Sequence, residues 1–196
     1  MNTGTGEFDD LDKVAARHGV GVRKSVGRVQ CYELAVIGLD VADVVRSAGG
    51  WMCERVRAGW RVTVLMPAGS DTRPLRVLGV NPAQLETDYG SLWTSFPAAL
   101  AMASGVVVTD ERVARDVRKA LLRGVTEVTF WGEASLSDVD APVDLVQHRL
   151  SGVARAFKAQ ALIAASSFDI QAAPTETFHS TALWYPLDGS DLTPPS

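Results

Sequence analysis

The chain alternates short β-branched runs with amphipathic segments of helical length, and this alternation limits its possible folds more than any other feature. The clearest runs are 34–40, 62–66, 106–110 and 125–131. Strands that alternate with helices indicate an α/β fold with a mainly parallel sheet. We therefore predict a five-stranded three-layer sandwich with helices on both faces. The Rossmann-like and flavodoxin-like strand orders both remain open.

The predicted strands are 30–37, 61–66, 80–86, 106–109 and 125–131, and 181–185 could add an edge strand. Helices are predicted after Asp40, Asp71, Pro97 and Asp110, and the last helix is predicted over 144–165. The helix after Asp40 contains Gly49 and Gly50. Each glycine weakens a helix by about 1 kcal/mol relative to alanine, so we expect one helix with a weak centre. The spacing of apolar residues in the last helix predicts a buried face: Val146, Leu150, Val153, Phe157 and Ala161.

The composition predicts one α/β domain over 29–185, preceded by a segment with a short helix over 1–28 and followed by a disordered tail over 186–196. The net charge of −4 argues against a general nucleic-acid coat. The first twelve residues are polar and lack the apolar core of a signal peptide, and no apolar run has membrane-spanning length. We therefore expect a cytoplasmic protein without membrane contact.

Established cofactor and nucleophile motifs are missing from the sequence. The turn after the first strand, 38–43, is not GxGxxG, and GxxxxGK[ST], GxSxG, CxxC and HExxH are also absent. The sequence therefore disfavours classical NAD, FAD and P-loop binding, predicts no metal site and leaves the cofactor unassigned. The alternation is also similar to that of a response-regulator receiver domain, with Thr109 as the hydroxyl residue. Trp131 and Gly132 stand where such a domain needs lysine, so an active receiver is not indicated.

Ligands of parallel sheets bind outside the carboxyl ends of the strands. The residues predicted at that rim, and proposed to bind a ligand, are Asp40, Asp71, Asp110, Trp131 and Glu133. For the three aspartates the alternative is helix capping, because an Asp between strand and helix accepts hydrogen bonds from free amides. For Trp131 the alternative is a core position beneath the last helix.

Two further groups carry positive charge. His148, Arg155 and Lys158 are predicted to share one face of the last helix and to bind an anion or a partner. The alternative is an ordinary solvated helix face. The basic segment 11–28 faintly resembles part of a helix-turn-helix, although its glycines weaken a recognition helix.

The leading functional hypothesis is a non-catalytic domain, which could be regulatory, that recognises a small ligand or a protein partner. One alternative is an enzyme acting on an anionic metabolite at the acidic rim of the sheet. The other is a transcription regulator that binds DNA through the N-terminal segment, although nucleic acid is the less favoured partner. A homodimer is expected because aromatic residues are abundant outside the strands: Trp51, Trp93, Phe96 and Trp184.

Overall fold

The computed structural model describes residues 31–124, 126–132, 143–166, 171–181 and 192–195. Within these ranges seven strands form one sheet: β1 (Glu33–Ile37), β2 (Arg61–Met66), β3 (Asn81–Gln84), β4 (Ala99–Ala103), β5 (Glu127–Trp131), β6 (Asp144–Arg149) and β7 (Thr175–Ser180). Their order is β3-β2-β1-β4-β5-β7-β6. β7 runs antiparallel to both of its neighbours, and the other pairs are parallel.

The described helices are α1 (Val41–Arg57), α2 (Arg73–Val77), α3 (Leu85–Ser95), α4 (Ser104–Thr109), α5 (Glu111–Arg123) and α6 (Gly152–Ala164). Side chains from α1, α2 and α6 build the apolar core on one face of the sheet, and those from α3, α4 and α5 build the core on the other. The fold is therefore a three-layer α/β sandwich, as predicted. The sheet has seven strands rather than five, and its first five follow the Rossmann-like order.

α1 is one uninterrupted helix despite its paired glycines. A Cβ at Gly50 would lie 2.4 Å from Cδ1 of Leu150, so the glycine permits the close approach of the chain after β6. Glu176 of β7 accepts hydrogen bonds from the amides of Gly50 and Trp51, both at 2.8 Å, and from Lys158 Nζ at 2.6 Å. This buried cluster joins α1, α6 and β7.

The predicted strand 106–109 is wrong, because those residues belong to α4 and the strand is β4. β4 has the sequence ALAMA, which carries no β-branched residue, yet it lies in the centre of the sheet between β1 and β5. Val107 is buried on α4, whereas Val108 is exposed. Tertiary position thus overrides local β-propensity at both segments.

The predicted helix 144–165 is also partly wrong, because β6 occupies its first six residues. Burial alternates along this part of the chain at Val146, His148 and Leu150, which is the period of a strand. Ser151 then caps α6, and its hydroxyl accepts a hydrogen bond from the amide of Ala154 at 3.2 Å. Because the helix begins later than predicted, the residues of α6 that face the core differ from those that the sequence predicted to be buried.

Two residues of the predicted tail, Leu192 and Thr193, contact the sheet. Thr193 and Gln147 exchange two backbone hydrogen bonds, of 2.6 and 2.9 Å, and Leu192 is buried in the core. β7 comes just before the predicted edge strand 181–185. The predictions for 1–28, Glu133, 182–185 and the rest of the tail lie outside the described residues. None of the described helices combines the length and the apolar character needed to cross a membrane.

Candidate functional site

A cleft of about 250 Å³ opens at the carboxyl ends of β1 and β2, which is the edge predicted to hold a ligand. Three segments form it: the turn that enters α1, the loop before α2 and the end of α6. The lining residues are Leu39, Asp40, Val41, Ala42, Ser70, Asp71, Pro74, Ala164, Ala165 and Ser166. Two of the five predicted rim residues, Asp40 and Asp71, therefore share one cleft.

Asp40 stands at the N-terminus of α1 with its carboxylate exposed to the cleft. Its Oδ1 accepts a hydrogen bond from the amide of Asp43 at 2.7 Å, which orients the carboxylate. The turn before it requires Gly38, because a Cβ there would lie only 2.2 Å from Cγ2 of Val44. Asp40 is thus a helix cap, as the alternative interpretation predicted, and also a cleft residue.

Trp131 does not line this cleft. Its side chain is 2 % exposed in the core, and its Nε1 donates a hydrogen bond to Asp43 Oδ2 at 2.9 Å. The core position is therefore the observed one, and the interpretation of Trp131 as a pocket wall is wrong. The indole is instead hydrogen-bonded to Asp43 in the first turn of α1. The backbone amide of the same Asp43 orients the carboxylate of Asp40.

Asp71 is paired with Arg73 across the start of α2. Arg73 Nη2 lies 2.7 Å from Asp71 Oδ2, and the amide of Arg73 donates to Oδ1 at 3.1 Å. These hydrogen bonds lower the pKa of Asp71 to about 2. The carboxylate is therefore ionised at neutral pH, and Arg73 balances its charge.

Asp110 lies at the junction of α4 and α5 and does not line the cleft. Its Oδ1 accepts from the amides of Arg112 and Val113 at 2.9 and 3.4 Å. The hydrogen bonds from Arg112 keep the pKa of Asp110 below its ordinary value although burial opposes this. Asp110 is therefore a helix cap, as the alternative interpretation predicted. It does not lie at the end of β4, because that strand ends earlier than predicted and α4 separates the two.

The three predicted cationic residues do not share a helix face. His148 lies on β6, buried, with its Nε2 hydrogen-bonded to Glu54. Lys158 is buried on α6 against Glu176. Only Arg155 is exposed. The prediction of a shared face is wrong because this part of the chain forms a strand, a cap and a helix rather than one helix.

Sequence reasoning missed the contribution of α6 to the cleft, which consists of Ala164, Ala165 and Ser166. Small residues at a helix end carry no chemical signal that could have identified them. A second cavity, of about 150 Å³, lies between the sheet and α3 and was also missed. No group of three His, Cys, Asp or Glu side chains in the described ranges is close enough to hold a metal ion.

Comparisons with known proteins identify the fold. No protein-family model matches the sequence, and no curated protein is significantly similar to it. Among solved structures, the zinc-inhibited form of teicoplanin deacetylase Orf2 shares the fold with a TM-score of 0.55 and 14% identity, over 76% of this chain and 97% of that one.

Two further structures show the same likeness. The A40926 pseudoaglycone deacetylase Dbv21 has a TM-score of 0.52 and 14% identity, over 74% of this chain and 95% of its own. The conserved protein TT1542 from Thermus thermophilus has a TM-score of 0.52 and 16% identity, over 80% of this chain and 99% of its own.

These findings correct the leading hypothesis of a non-catalytic, regulatory domain. Two of the three solved structures are described as deacetylases, so the enzyme alternative has the better support. At identities of 14 to 16% the likeness itself extends to the fold alone. The chain therefore shares the three-layer α/β fold of these deacetylase structures.

Proposed function

We propose that the protein is an enzyme that removes an acyl group from a small anionic metabolite in the cleft between Asp40, Asp71 and the end of α6. The proposal rests chiefly on the exposed, oriented carboxylate of Asp40 at the carboxyl edge of the sheet. Two solved structures with the same fold are described as deacetylases, which supports the reaction class.

Asp40 is the general base in this proposal. Its carboxylate accepts a proton from a water molecule, and the oxygen of that water adds to the acyl carbon. The bond between the acyl carbon and the leaving nitrogen then breaks. The proton held by Asp40 passes to that nitrogen, so the products are a free carboxylate and an amine.

The start of α1 supports the charge that develops on the acyl oxygen. Val41 and Ala42 line the cleft and belong to the first turn of the helix, where amides lack intrahelical acceptors. Such amides, at the positive end of the helix dipole, stabilise an oxyanion. Asp71 is neutralised by Arg73, so it adds little repulsion against an anionic substrate.

The test is amine release from a panel of N-acetylated amino acids and N-acetylated sugar phosphates, measured for the wild type, Asp40→Asn and Asp110→Asn. Asparagine caps a helix as well as aspartate does, so both variants should fold normally. We expect Asp40→Asn to lower kcat by about 10²- to 10⁴-fold, and Asp110→Asn to leave it unchanged. Wild-type activity that survives Asp40→Asn would overturn the role of Asp40, and inactivity on the whole panel would overturn the proposed reaction.

A further inference from the structure

Ser166, the residue that follows the C-terminal cap of α6, has a left-handed backbone conformation at the edge of the cleft. Its φ is +53°, a region in which an L-residue with a side chain is strained, and the residue lines the cleft. Glycine is the usual residue at such a helix end because it has no Cβ. Residues held in strained conformations cluster at functional sites. The side chain at position 166 therefore requires an explanation.

The end of α1 forms the same turn with a glycine. The caps of the two helices, Ala58 and Ala165, have φ and ψ angles of −78° and 3° and of −79° and 2°. The amide of each following residue, Gly59 or Ser166, donates a 3.0 Å hydrogen bond to the carbonyl three residues earlier. A Cβ at Gly59 would meet nothing within 4 Å, so glycine serves its positive φ of 87° there and not a lack of space. The equivalent turn at the cleft carries a serine instead.

Phe96 is the other residue in the described ranges that combines a side chain with a positive φ, and its ring has partners. The ring packs edge-on against Trp93, with 5.8 Å between the centroids, and the guanidinium carbon of Arg123 lies 4.2 Å from its centre. The hydroxyl of Ser166 has no hydrogen-bond partner in the described part of the chain. Contacts within the fold therefore account for the side chain of Phe96 and not for the hydroxyl of Ser166.

Among the described residues that line the cleft, Ser70 and Ser166 carry the hydroxyl groups. The hydroxyl of Ser70 donates a hydrogen bond to the carbonyl of Pro67 at 2.8 Å, so it is held against its own loop. Ser166 is exposed, and its hydroxyl has no such bond within the described structure. Of these two hydroxyl groups, that of Ser166 is therefore the one available to a molecule in the cleft.

Two walls of the cleft have opposite polarity. The first turn of α1, at Val41 and Ala42, offers backbone amides at the positive end of a helix dipole. The end of α6, at residues 164–166, is the negative end of another helix, where carbonyl oxygens lack intrahelical donors. The hydroxyl oxygen of Ser166 adds a further acceptor to this second wall. The α1 wall therefore favours an acceptor on the ligand, and the α6 wall favours a donor such as an N–H group.

A secondary amide has this polarity, because its planar trans form directs the C=O and N–H groups to opposite sides. We infer that the substrate amide lies with its carbonyl oxygen at the first turn of α1 and donates its N–H to the hydroxyl oxygen of Ser166. The inference rests on the proposed function, which supplies the reaction, and it assigns the specificity of that reaction. Ser166 selects N-acyl over O-acyl substrates, since an ester has no N–H to donate. The negative end of α6 also stabilises the positive charge that develops on the leaving nitrogen.

Reciprocal variants test the strain by urea denaturation. Ser166→Gly should raise the ratio of folded to unfolded protein about two- to fivefold, because the relief of strain exceeds the added freedom of glycine in the unfolded chain. Gly59→Ser introduces the same strain at the matched turn of α1 and should lower the ratio by a similar factor. Ser166→Ala keeps the strain and should leave the ratio nearly unchanged. A Ser166→Gly variant that is less stable than the wild type would overturn the strained conformation and the inference with it.

Kinetics on matched N-acetyl and O-acetyl compounds test the selection. The two members of each pair, such as N-acetylglycine and O-acetylglycolate, differ only in the atom that leaves. Ser166→Ala and Ser166→Gly should each lower kcat/KM about tenfold for the N-acetyl compound and change it less than about twofold for the O-acetyl compound. Ser70→Ala removes the other hydroxyl of the cleft and should leave the preference between the two compounds unchanged. Equal losses on both compounds in the Ser166 variants would overturn the inference.

A binding measurement separates the contact from the reaction. N-acetylglycine and N-acetylsarcosine, which has a methyl group in place of the N–H hydrogen, are titrated into Asp40→Asn and followed by NMR. We expect N-acetylglycine to bind about tenfold more tightly, and the preference to disappear when Ser166→Ala is added. Equal binding of the two compounds to Asp40→Asn, or a preference that survives Ser166→Ala, would overturn the contact. A wild type that is inactive on the whole panel but shows the preference would overturn the proposed reaction and support the contact.

Discussion

The buried pair of Lys158 and Glu176 offers a sharp test of the fold, because both side chains are almost fully buried, at 2 and 3% exposure. Lys158→Met keeps the length of the side chain and removes its charge. The carboxylate of Glu176 then retains only the amides of Gly50 and Trp51 as partners. Removing one partner of a buried ion pair costs about 3–5 kcal/mol, which is the loss of unfolding free energy expected near pH 7.

The loss should depend on pH. Burial raises the pKa of Glu176, and the ammonium of Lys158 opposes that rise. In Lys158→Met the folded-state pKa of Glu176 rises further above the ordinary value of about 4.5. A raised folded-state pKa means that stability is present below the unfolded-state pKa and is lost as pH increases toward the folded-state pKa.

One titrating group changes the free energy by at most about 1.4 kcal/mol per pH unit. The loss in Lys158→Met should therefore grow gradually as pH rises from the acid end toward neutrality, and not appear in a single step. Urea denaturation followed by tryptophan fluorescence from pH 4.5 to 8 measures it. We expect the variant to approach wild-type stability at the acid end.

Two controls isolate the pair. The double variant Lys158→Met with Glu176→Gln removes both charges and keeps an oxygen acceptor, so it should recover most of the loss and its pH dependence. Lys119→Met breaks a surface pair with Asp116 and should cost less than about 1 kcal/mol. A loss below about 1 kcal/mol near pH 7, or one of equal size at every pH, would refute the reasoning.

Three further predictions concern stability and are measured by urea denaturation at pH 7. Asp110→Ala should cost about 1 kcal/mol because two amides of α5 lose their cap, and an unchanged stability would contradict that role. Trp131→Ala should lower the free energy of unfolding by about 3–5 kcal/mol, and Trp131→Phe should lower it less. Both variants leave Asp43 without the indole hydrogen bond, so the difference between them reports the packing of the ring. Near-wild-type stability of the alanine variant would disprove the core position. Gly50→Ala should destabilise by about 1–3 kcal/mol because the new methyl group meets Leu150, and a stabilised protein would show that the helix has room there.

Much of the scaffold follows from local patterns. β1, β2, β5, α1 and α5 lie close to their predicted positions because apolar periodicity and the flanking Asp and Gly residues agree at each of them. β4 was missed because its central position, and not its composition, makes it a strand. The start of α6 was misplaced because Val146 and Leu150 fit a helical spacing as well as a strand alternation.

The candidate site, like the scaffold, could be predicted only in part from the sequence. Asp40 and Asp71 could be placed at the cleft from the sequence, since the carboxyl ends of parallel strands meet at one edge. The sequence did not give the positions of Asp110 and Trp131 relative to the cleft. The position of Asp110 depends on where β4 ends, and that of Trp131 depends on the direction of its side chain. The wall formed by the end of α6 comes from far along the chain and has no local signal.

The sequence by itself determined the α/β class, the main helices and strands and the two aspartates at the ligand edge, because each depends on neighbouring residues and on the handedness of chain connections. Only the tertiary structure decided the strand order, the burial of Lys158 against Glu176 and the exposure of Val153, Phe157 and Ile163 on α6. Each of these depends on contacts between residues distant in the chain, and local propensity contains no information about such contacts.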